Sequence, residues 1–146
     1  MSARDTVIGN LVTALQAITA ANGYHTTVKK VSKGALAQDV VSENCPFIAV
    51  IQGDEKILVH DATHVRFAMD IGVVAYLKGY TSSGMSVTIN NLADDIKRLI
   101  CAPVSLGTYC LDVQIKESGF EISDVKNEAR AGIGLEVTYY APIATF

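Results

Sequence analysis

At 146 residues the chain has the length of one domain, large enough to bury about two thirds of the surface of its unfolded form. Nearly half of its residues are hydrophobic (49%), 18% are charged, and the formal net charge is −3. Because so few charged groups cover a surface poorly, we expect part of that surface to be buried against other subunits. The acidic balance argues against direct nucleic-acid binding, which needs clustered lysine and arginine.

Cysteine usage and the N-terminal sequence bear on the compartment. Cys45, Cys101 and Cys110 are odd in number and lack a paired short spacing, which is typical of thiols in a reducing cytosol. The opening "MSARDTVIGN" shows no signal-peptide pattern, and no apolar run approaches the length that spans a membrane. The sequence therefore predicts a soluble intracellular protein without a membrane partner.

The first third of the chain predicts one helix and several strands. Apolar residues at helical spacing from Val7 to Ile18 predict a helix that "ANG" (21–23) closes. The half-polar "YHTTVKKV" (24–31) predicts a strand, followed by a long connection. "FIAVIQ" (47–52) predicts a buried strand, and "GDE" a turn to its hairpin partner "KILVH" (56–60).

The stretch "RFAMDIGVVAYLKGY", Arg66 to Tyr80, predicts an unusually long strand because apolar residues recur at every second position. Fifteen extended residues span roughly 50 Å, whereas a compact domain of this length is about 40 Å across. Either a bulge near Gly72 splits the strand, or the strand leaves the body of its subunit. Its outer face carries Ala68, Gly72, Val74 and Tyr76, which have little need of water.

The rest of the chain adds a second helix and the last strands. After a tip, "GYTSSGMS" (79–86), a helix is predicted from about Thr88 to Cys101. A strand over 109–115, a turn at "ESG" and a return at "FEIS" follow, and the final strand covers 131–142. The predicted fold is α+β, a largely antiparallel sheet covered by two main helices, forming a single domain over residues 1–146.

Two motifs come close to known chemistry. "GYTSSGMS" has the glycine and serine spacing of a phosphate-binding P-loop, but Met85 stands where the lysine that contacts the phosphates is required. "HDATH" (60–64) sets two histidines four residues apart around Asp61, but its flanks are strand-like and no third ligand is suitably spaced. We interpret the first as a loop tip before a helix and the second as a solvated turn.

No other pattern assembles a reaction. The chain offers no nucleophile elbow and no cysteine within a recognisable catalytic motif. The carboxylate pairs fall in a predicted turn (Asp54–Glu55) and on a predicted solvated helix face (Asp94–Asp95). The sequence therefore predicts no enzyme activity, no cofactor and no metal site.

The order of the segments along nearly the full length of the chain resembles that of one family. These segments are the opening helix with "ANGYHTTVKKV", then "PFIAVIQG", "FAMDIGVVAYLKG", "INNLADDIKRLI" and "LDVQIKESGFEISDVKNEARAGIGLEVTYYAP". That family is the tail-terminator and tail-completion proteins of tailed bacteriophages. The resemblance rests on pattern and order, with no catalytic signature. Head-completion and neck proteins of similar size are the nearest alternative, and a small cytosolic binding adaptor also fits the composition.

The resemblance implies a structural protein of the virion tail or neck, assembled in the cytoplasm of the host bacterium. A hexameric ring of α+β subunits would sit on the finished tail tube, stop tube polymerisation and present a surface for head–tail joining. The implied partners are further copies of the chain, the tail tube protein and the head–tail connector protein, with DNA only as passing cargo. A channel that lets DNA slide should lack a strongly basic stripe.

A projecting strand end would supply part of the contact surface. We expect the distal end of the long strand and the tip after it to contact a neighbouring subunit or the tube end, since an exposed strand otherwise invites aggregation. The predicted interface residues are Tyr76, Tyr80, Thr81, Ser82, Ser83 and Met85.

Overall fold

The computed structural model describes residues 2–34, 42–79, 82–102, 106–123 and 126–146. Short 3-10 turns lie at Ala20–Asn22, Ser42–Asn44 and Ile143–Thr145. No helix in these stretches combines the length and the apolar character that crossing a membrane requires. The regular elements, in chain order, are α1 (Ala3–Gln16), β1 (Lys30–Lys33), β2 (Phe47–His60), β3 (His64–Lys78), α2 (Ser82–Cys101), β4 (Cys110–Ser123) and β5 (Glu128–Pro142).

The strands form one sheet in the order β1-β2-β3-β5-β4. The short β1 runs parallel to β2, and every other neighbouring pair is antiparallel. Both helices pack on one face of this sheet, which we call the inner face, and their apolar sides form the main core with it. The predicted α+β fold, a largely antiparallel sheet with two covering helices, is confirmed.

The helix α1 begins with a hydroxyl cap, and its apolar side packs into the core as its spacing predicts. The Ser2 hydroxyl accepts a hydrogen bond from the Asp5 N–H (3.1 Å), which satisfies one of the free donors of the first turn. Val7, Leu11 and Leu15 have no exposed surface. The helix ends at Gln16 with Ala17 as its C-cap, so "ANG" does not close it as predicted; Gly23, at a φ of 88°, instead closes the separate 3-10 turn that follows.

The helix α2 begins at Ser82, several residues before the predicted start near Thr88. Part of the predicted tip is therefore helical, because Met85 continues the apolar side of the helix one turn toward its N-terminus. That side is buried along its length, at Met85, Ile89, Leu92, Ala93, Ile96, Leu99 and Ile100.

The long strand is real, and it lies at the centre of the sheet. Prediction placed it at Arg66–Tyr80, and β3 covers His64–Lys78. Its pairing with β5 continues residue by residue through Gly72, so no bulge splits it. Strands β2 and β5 flank it on both sides and are of matching length, 14 and 15 residues. Within the described residues β3 is thus one of four long strands in the same sheet, and it does not project from the subunit by itself.

Three local predictions were wrong. The "GDE" segment does not turn the chain, because 47–60 is one strand whose register shifts between Gln52 and Glu55, and its hairpin partner is β3. Likewise "ESG" lies inside the continuous β4, with a register shift between Ile115 and Glu117. In β2 a β-bulge absorbs turn-forming residues, whereas in β4 the bulge lies just before "ESG" and the three residues pair regularly with β5. The predicted strand 24–31 shrinks to Lys30–Lys33, because residues 24–29 bond to other segments.

Candidate subunit interface

The two long strands that flank the central pair β3 and β5 are β2 and β4, called the outer strands below, and they are less buried than the central pair. On β3 and β5 the inner-face residues are buried in strict alternation. By comparison β2 is buried only over 47–50, and β4 contains no buried residue. The exposed large apolar side chains on these two strands are Ile51, Ile57, Leu58, Val59, Leu111, Phe120 and Ile122.

Both outer strands also leave a backbone edge open. β1 pairs with β2 only opposite Phe47 to Val50, so the outer edge of residues 51–60 has no strand beside it among the described residues. β4 pairs with β5 on one side and is the last strand of the sheet on the other. An open edge presents a row of N–H and C=O groups that can pair with another strand.

The outer face of the sheet, opposite the helices, is smooth and partly apolar. Cross-strand rows on this face are Ala49–Val74–Gly132–Gly119 and Phe47–Tyr76–Arg130–Glu121. Two shallow depressions of about 440 and 380 Å³ lie over them, lined in part by Val74 and Gly132. A Cβ atom added at Gly119 or Gly132 would meet nothing within 4 Å, so the sheet itself does not demand glycine there.

The predicted interface residues are not brought together on one surface. Tyr76 is half-buried on the outer face, where its ring meets Phe47 edge-on at a centroid distance of 6.0 Å. Met85 points the other way, into the core, with no exposed surface. Tyr80 and Thr81 lie outside the described residues, as do the side chains of Ser82 and Ser83, whose backbone forms the start of α2.

The segment "HDATH" forms the tight connection between β2 and β3. The Asp61 carboxylate accepts hydrogen bonds from the N–H groups of Thr63 and His64, both at 2.8 Å, and these bonds lower the pKa of Asp61. His60 pairs with Val65 on the inner face, whereas His64 pairs with Pro142 on the outer face. The described residues contain no group of three possible metal ligands, in keeping with the interpretation as a turn.

A polar cluster joins the first turn of α1 to the sheet. The Arg4 guanidinium forms an ion pair with Glu55, and the Tyr139 hydroxyl donates a hydrogen bond to the same carboxylate. Burial, and secondly this hydrogen bond, raise the pKa of Tyr139 well above its usual value. The Glu55 carboxylate is bound by both partners while the buried Arg4 Nε has no hydrogen-bond partner, so the cluster fixes the helix on the sheet and holds no free carboxylate.

A cleft of about 290 Å³ lies at the other end of β3, lined by Tyr76 and by charged residues of β4 and β5. Its charges are largely paired. Arg130 contacts Glu121 at 2.6 Å, and Lys78 contacts Glu128 at 3.5 Å. Only Lys126 is added to these two ion pairs, so the cleft offers little net attraction to a charged substrate.

Sequence reasoning missed the exposed apolar residues of the outer strands. The signal was present at "KILVH", where Ile57, Leu58 and Val59 are consecutive and therefore point to both faces. A strand with one wet face alternates instead. Three consecutive apolar residues on an edge strand, between Lys56 and His60, indicate a strand with apolar side chains on both faces that a partner could cover.

The comparisons with known proteins give a fold and no family. No protein-family model matches the sequence, and no curated protein sequence matches it. Among solved structures, the chain is similar to one in the virion of a native gene transfer agent particle, with 9% identity over 95% of both chains and a TM-score of 0.53. At that identity the likeness shows a shared fold alone.

A second solved structure overlaps less well. The type 4 fimbrial biogenesis protein PilO from Pseudomonas aeruginosa aligns with 93% of this chain and 70% of its own at 14% identity. Its TM-score of 0.36 is too low to carry an argument about function.

Proposed function

We propose that the protein is a structural component of a phage-like virion that forms a ring, hexameric as the family resemblance implies, on the end of the tail tube. The ring ends tube polymerisation and provides the surface to which the head connector joins. The observation that carries this proposal is the end-to-end fold likeness to a chain of a gene transfer agent virion, together with the same family resemblance in the sequence.

The exposed outer strands support a protein that works by self-association. Large apolar side chains at both sheet edges remain in water in the single subunit, with 65% of Ile57 and 48% of Leu111 exposed. Large exposed apolar patches typically mark surfaces that bind other proteins. The proposed partners are other copies of the chain, the tail tube protein and the connector, while DNA passes through without being held.

A non-catalytic role is part of the proposal. Among the described residues, both cleft carboxylates are paired with cations, the Glu55 carboxylate is bound by Arg4 and Tyr139, and the two histidines of "HDATH" lie on opposite faces. None of these arrangements leaves a nucleophile beside a free base, which nucleophilic catalysis requires.

The test is tube capping. We expect the purified chain, mixed with polymerising tail tube protein, to yield tubes of limited length with a ring at one end in electron micrographs. A charge placed at the predicted contact, Tyr80→Asp or Ser83→Asp, should give long uncapped tubes while circular dichroism shows an unchanged fold. Gln16→Glu, on the exposed side of α1, is the matched control and should cap normally.

Two results would contradict the proposal. One is a chain that leaves tube length unchanged at any ratio of the two proteins. The other is a ring that binds only the head connector and never the tube, which would assign the chain to the neck as a head-completion protein.

A further inference from the structure

The two open edges of the sheet run in opposite directions. β2 is antiparallel to β3, β3 to β5, and β5 to β4, so β2 and β4 are antiparallel to each other at opposite sides of one subunit. When two copies stand side by side in the same orientation, β2 of one therefore meets β4 of the next as an antiparallel neighbour. The same arrangement already joins the central strands, and antiparallel pairing gives well-aligned hydrogen bonds.

The two edges are open at the same level of the sheet. One cross-strand row on the outer face reads Lys56–Ala68–Thr138–Asp112, and its two ends are the exposed outer strands. The next row, on the inner face, reads Ile57–Phe67–Tyr139–Cys110. Copies placed level with each other thus set Lys56 beside Asp112 of the next copy, and Ile57 beside Cys110.

The register shifts leave these rows available. β2 shifts between Gln52 and Glu55 and again between Ile57 and Val59, which leaves 55–57 regular. β4 shifts between Cys110 and Asp112 and between Ile115 and Glu117, which leaves 112–115 regular. Bulges normally prevent an edge from pairing indiscriminately. Here the bulges confine regular pairing to two short runs at the same level of the sheet. The run in β2 carries the cation Lys56, and the run in β4 carries the acid Asp112.

We infer that copies of the chain join by sheet extension, with the 51–60 edge of β2 in one copy pairing antiparallel to the 110–117 edge of β4 in the next. The inference deepens the proposed ring and rests on it. The two surfaces differ, so the contact is head-to-tail, and it either closes into a ring or continues as a filament. Lys56 and Asp112 fix the register, and the exposed apolar side chains within 51–60 and 110–117 are covered in the contact.

Engineered cysteines test the contact directly. The background carries Cys101→Ser and Cys110→Ser, while Cys45 stays because it is buried and burial raises the pKa of its thiol. On mild oxidation, alone and on tail tubes, Lys56→Cys/Asp112→Cys should give a ladder of covalent oligomers ending at the ring size. A mixture of the two single variants should stop at dimers, and neither single variant alone should cross-link.

The matched control is Lys56→Cys/Glu121→Cys, whose second cysteine is also exposed on β4 but lies in the row of Phe47 and Tyr76. It should give no ladder. Dimers of Lys56→Cys alone would overturn the head-to-tail pairing. Rings without any ladder would overturn the sheet extension and leave the proposed function standing. Absence of any oligomer, free or on tubes, would overturn both.

A charge exchange gives an independent measurement. Lys56→Asp should weaken self-association by about tenfold, because two like charges then face each other across the contact. Asp112→Lys should weaken it similarly, and the double exchange should restore it to near the original value. If the losses of the two single variants simply multiply in the double variant, the two side chains are not neighbours, and the inferred register is wrong.

Discussion

Asp95 is fully buried, although the sequence places it on a predicted solvated face of α2 beside Asp94. Its carboxylate accepts hydrogen bonds from the N–H groups of His25 (3.0 Å) and Thr26 (2.8 Å) and from the Thr26 hydroxyl (2.5 Å). One turn later Arg98 donates to the Gly23 carbonyl at 2.7 Å. Local spacing could not reveal these bonds, because the partners lie about 70 residues away in the sequence. Residues 23–26 were predicted to begin or border a strand, and they are instead bonded to α2.

Replacing Asp95 should be costly for this reason. Asp95→Ala leaves the buried N–H and hydroxyl of Thr26 and the partly buried N–H of His25 without their acceptor, and we expect a loss of about 2–4 kcal/mol in the free energy of unfolding. Asp94→Ala, at the exposed neighbouring position, should change it by less than about 0.5 kcal/mol. Urea unfolding of both variants measures the difference, and equal midpoints would contradict the role assigned to Asp95.

Tyr139 should make the fold sensitive to alkaline pH. Its pKa is raised in the folded chain, so its contribution to stability is complete below about pH 10 and is lost as pH rises further, when the unfolded chain releases the proton first. The slope approaches about 1.4 kcal/mol per pH unit. Tyr139→Phe should be less stable than the wild type at pH 8.5, and this difference should shrink by pH 11. If the difference between the urea midpoints of the two chains is the same at pH 8.5 and at pH 11, the assignment to Tyr139 is contradicted.

At the scale of elements, the sequence predicts the helices and strands whose burial follows a single periodicity. The alternation in β3 and β5 and the apolar sides of α1 and α2 are read correctly because one face of each is buried. The strands β2 and β4 are predicted only in pieces, because turn-forming residues interrupt each of them and because most of 51–60 and 116–122 is exposed on both faces. "GDE" and "ESG" are turn formers by composition, and only pairing with β3 and β5 keeps them extended.

Gly53 should be needed where Gly119 is not, although both were placed in predicted turns or beside them. A Cβ atom at Gly53 would lie 2.9 Å from the Asp70 carbonyl oxygen, whereas one at Gly119 would meet nothing within 4 Å. Gly53→Ala should cost roughly 1–3 kcal/mol, a fall of several degrees in Tm. Gly119→Ala should be neutral or slightly stabilising. Equal Tm values for the two variants would show that β2 rearranges at the bulge without loss of stability, and would contradict the need for glycine at position 53.

At the scale of the whole molecule, the sequence predicts that the chain needs partners but not where they bind. Low charge and high apolar content predict a covered surface, and the structure has exposed apolar edges of that kind. The predicted contact residues were chosen from the end of one long strand. Met85 was misjudged because helix α2 starts early and turns it into the core. Which surface stays open depends on how strands distant in sequence are ordered in the sheet.

The molecule as a whole should bind duplex DNA weakly. With a net charge of −3 the isolated chain is not attracted overall to the phosphate backbone, and each phosphate contact would add to the salt dependence of binding. Fluorescence anisotropy with a labelled duplex should show no binding tighter than about 10 μM at 50 mM salt. Tight binding that disappears at 200 mM salt would contradict a channel through which DNA passes freely.

The absence of buried residues on β4 has a kinetic consequence for the free subunit. A strand that pairs only with β5, and whose Cys110, Val113 and Ile115 are only partly buried against the core, opens locally at a lower free energy than the central strands do. Its amide hydrogens should therefore exchange with deuterium far sooner than those of β3 or β5, and proteases should cut there first. Assembly into a ring by sheet extension would reverse this order, converting the most labile strand of the free chain into one as protected as the centre of the sheet.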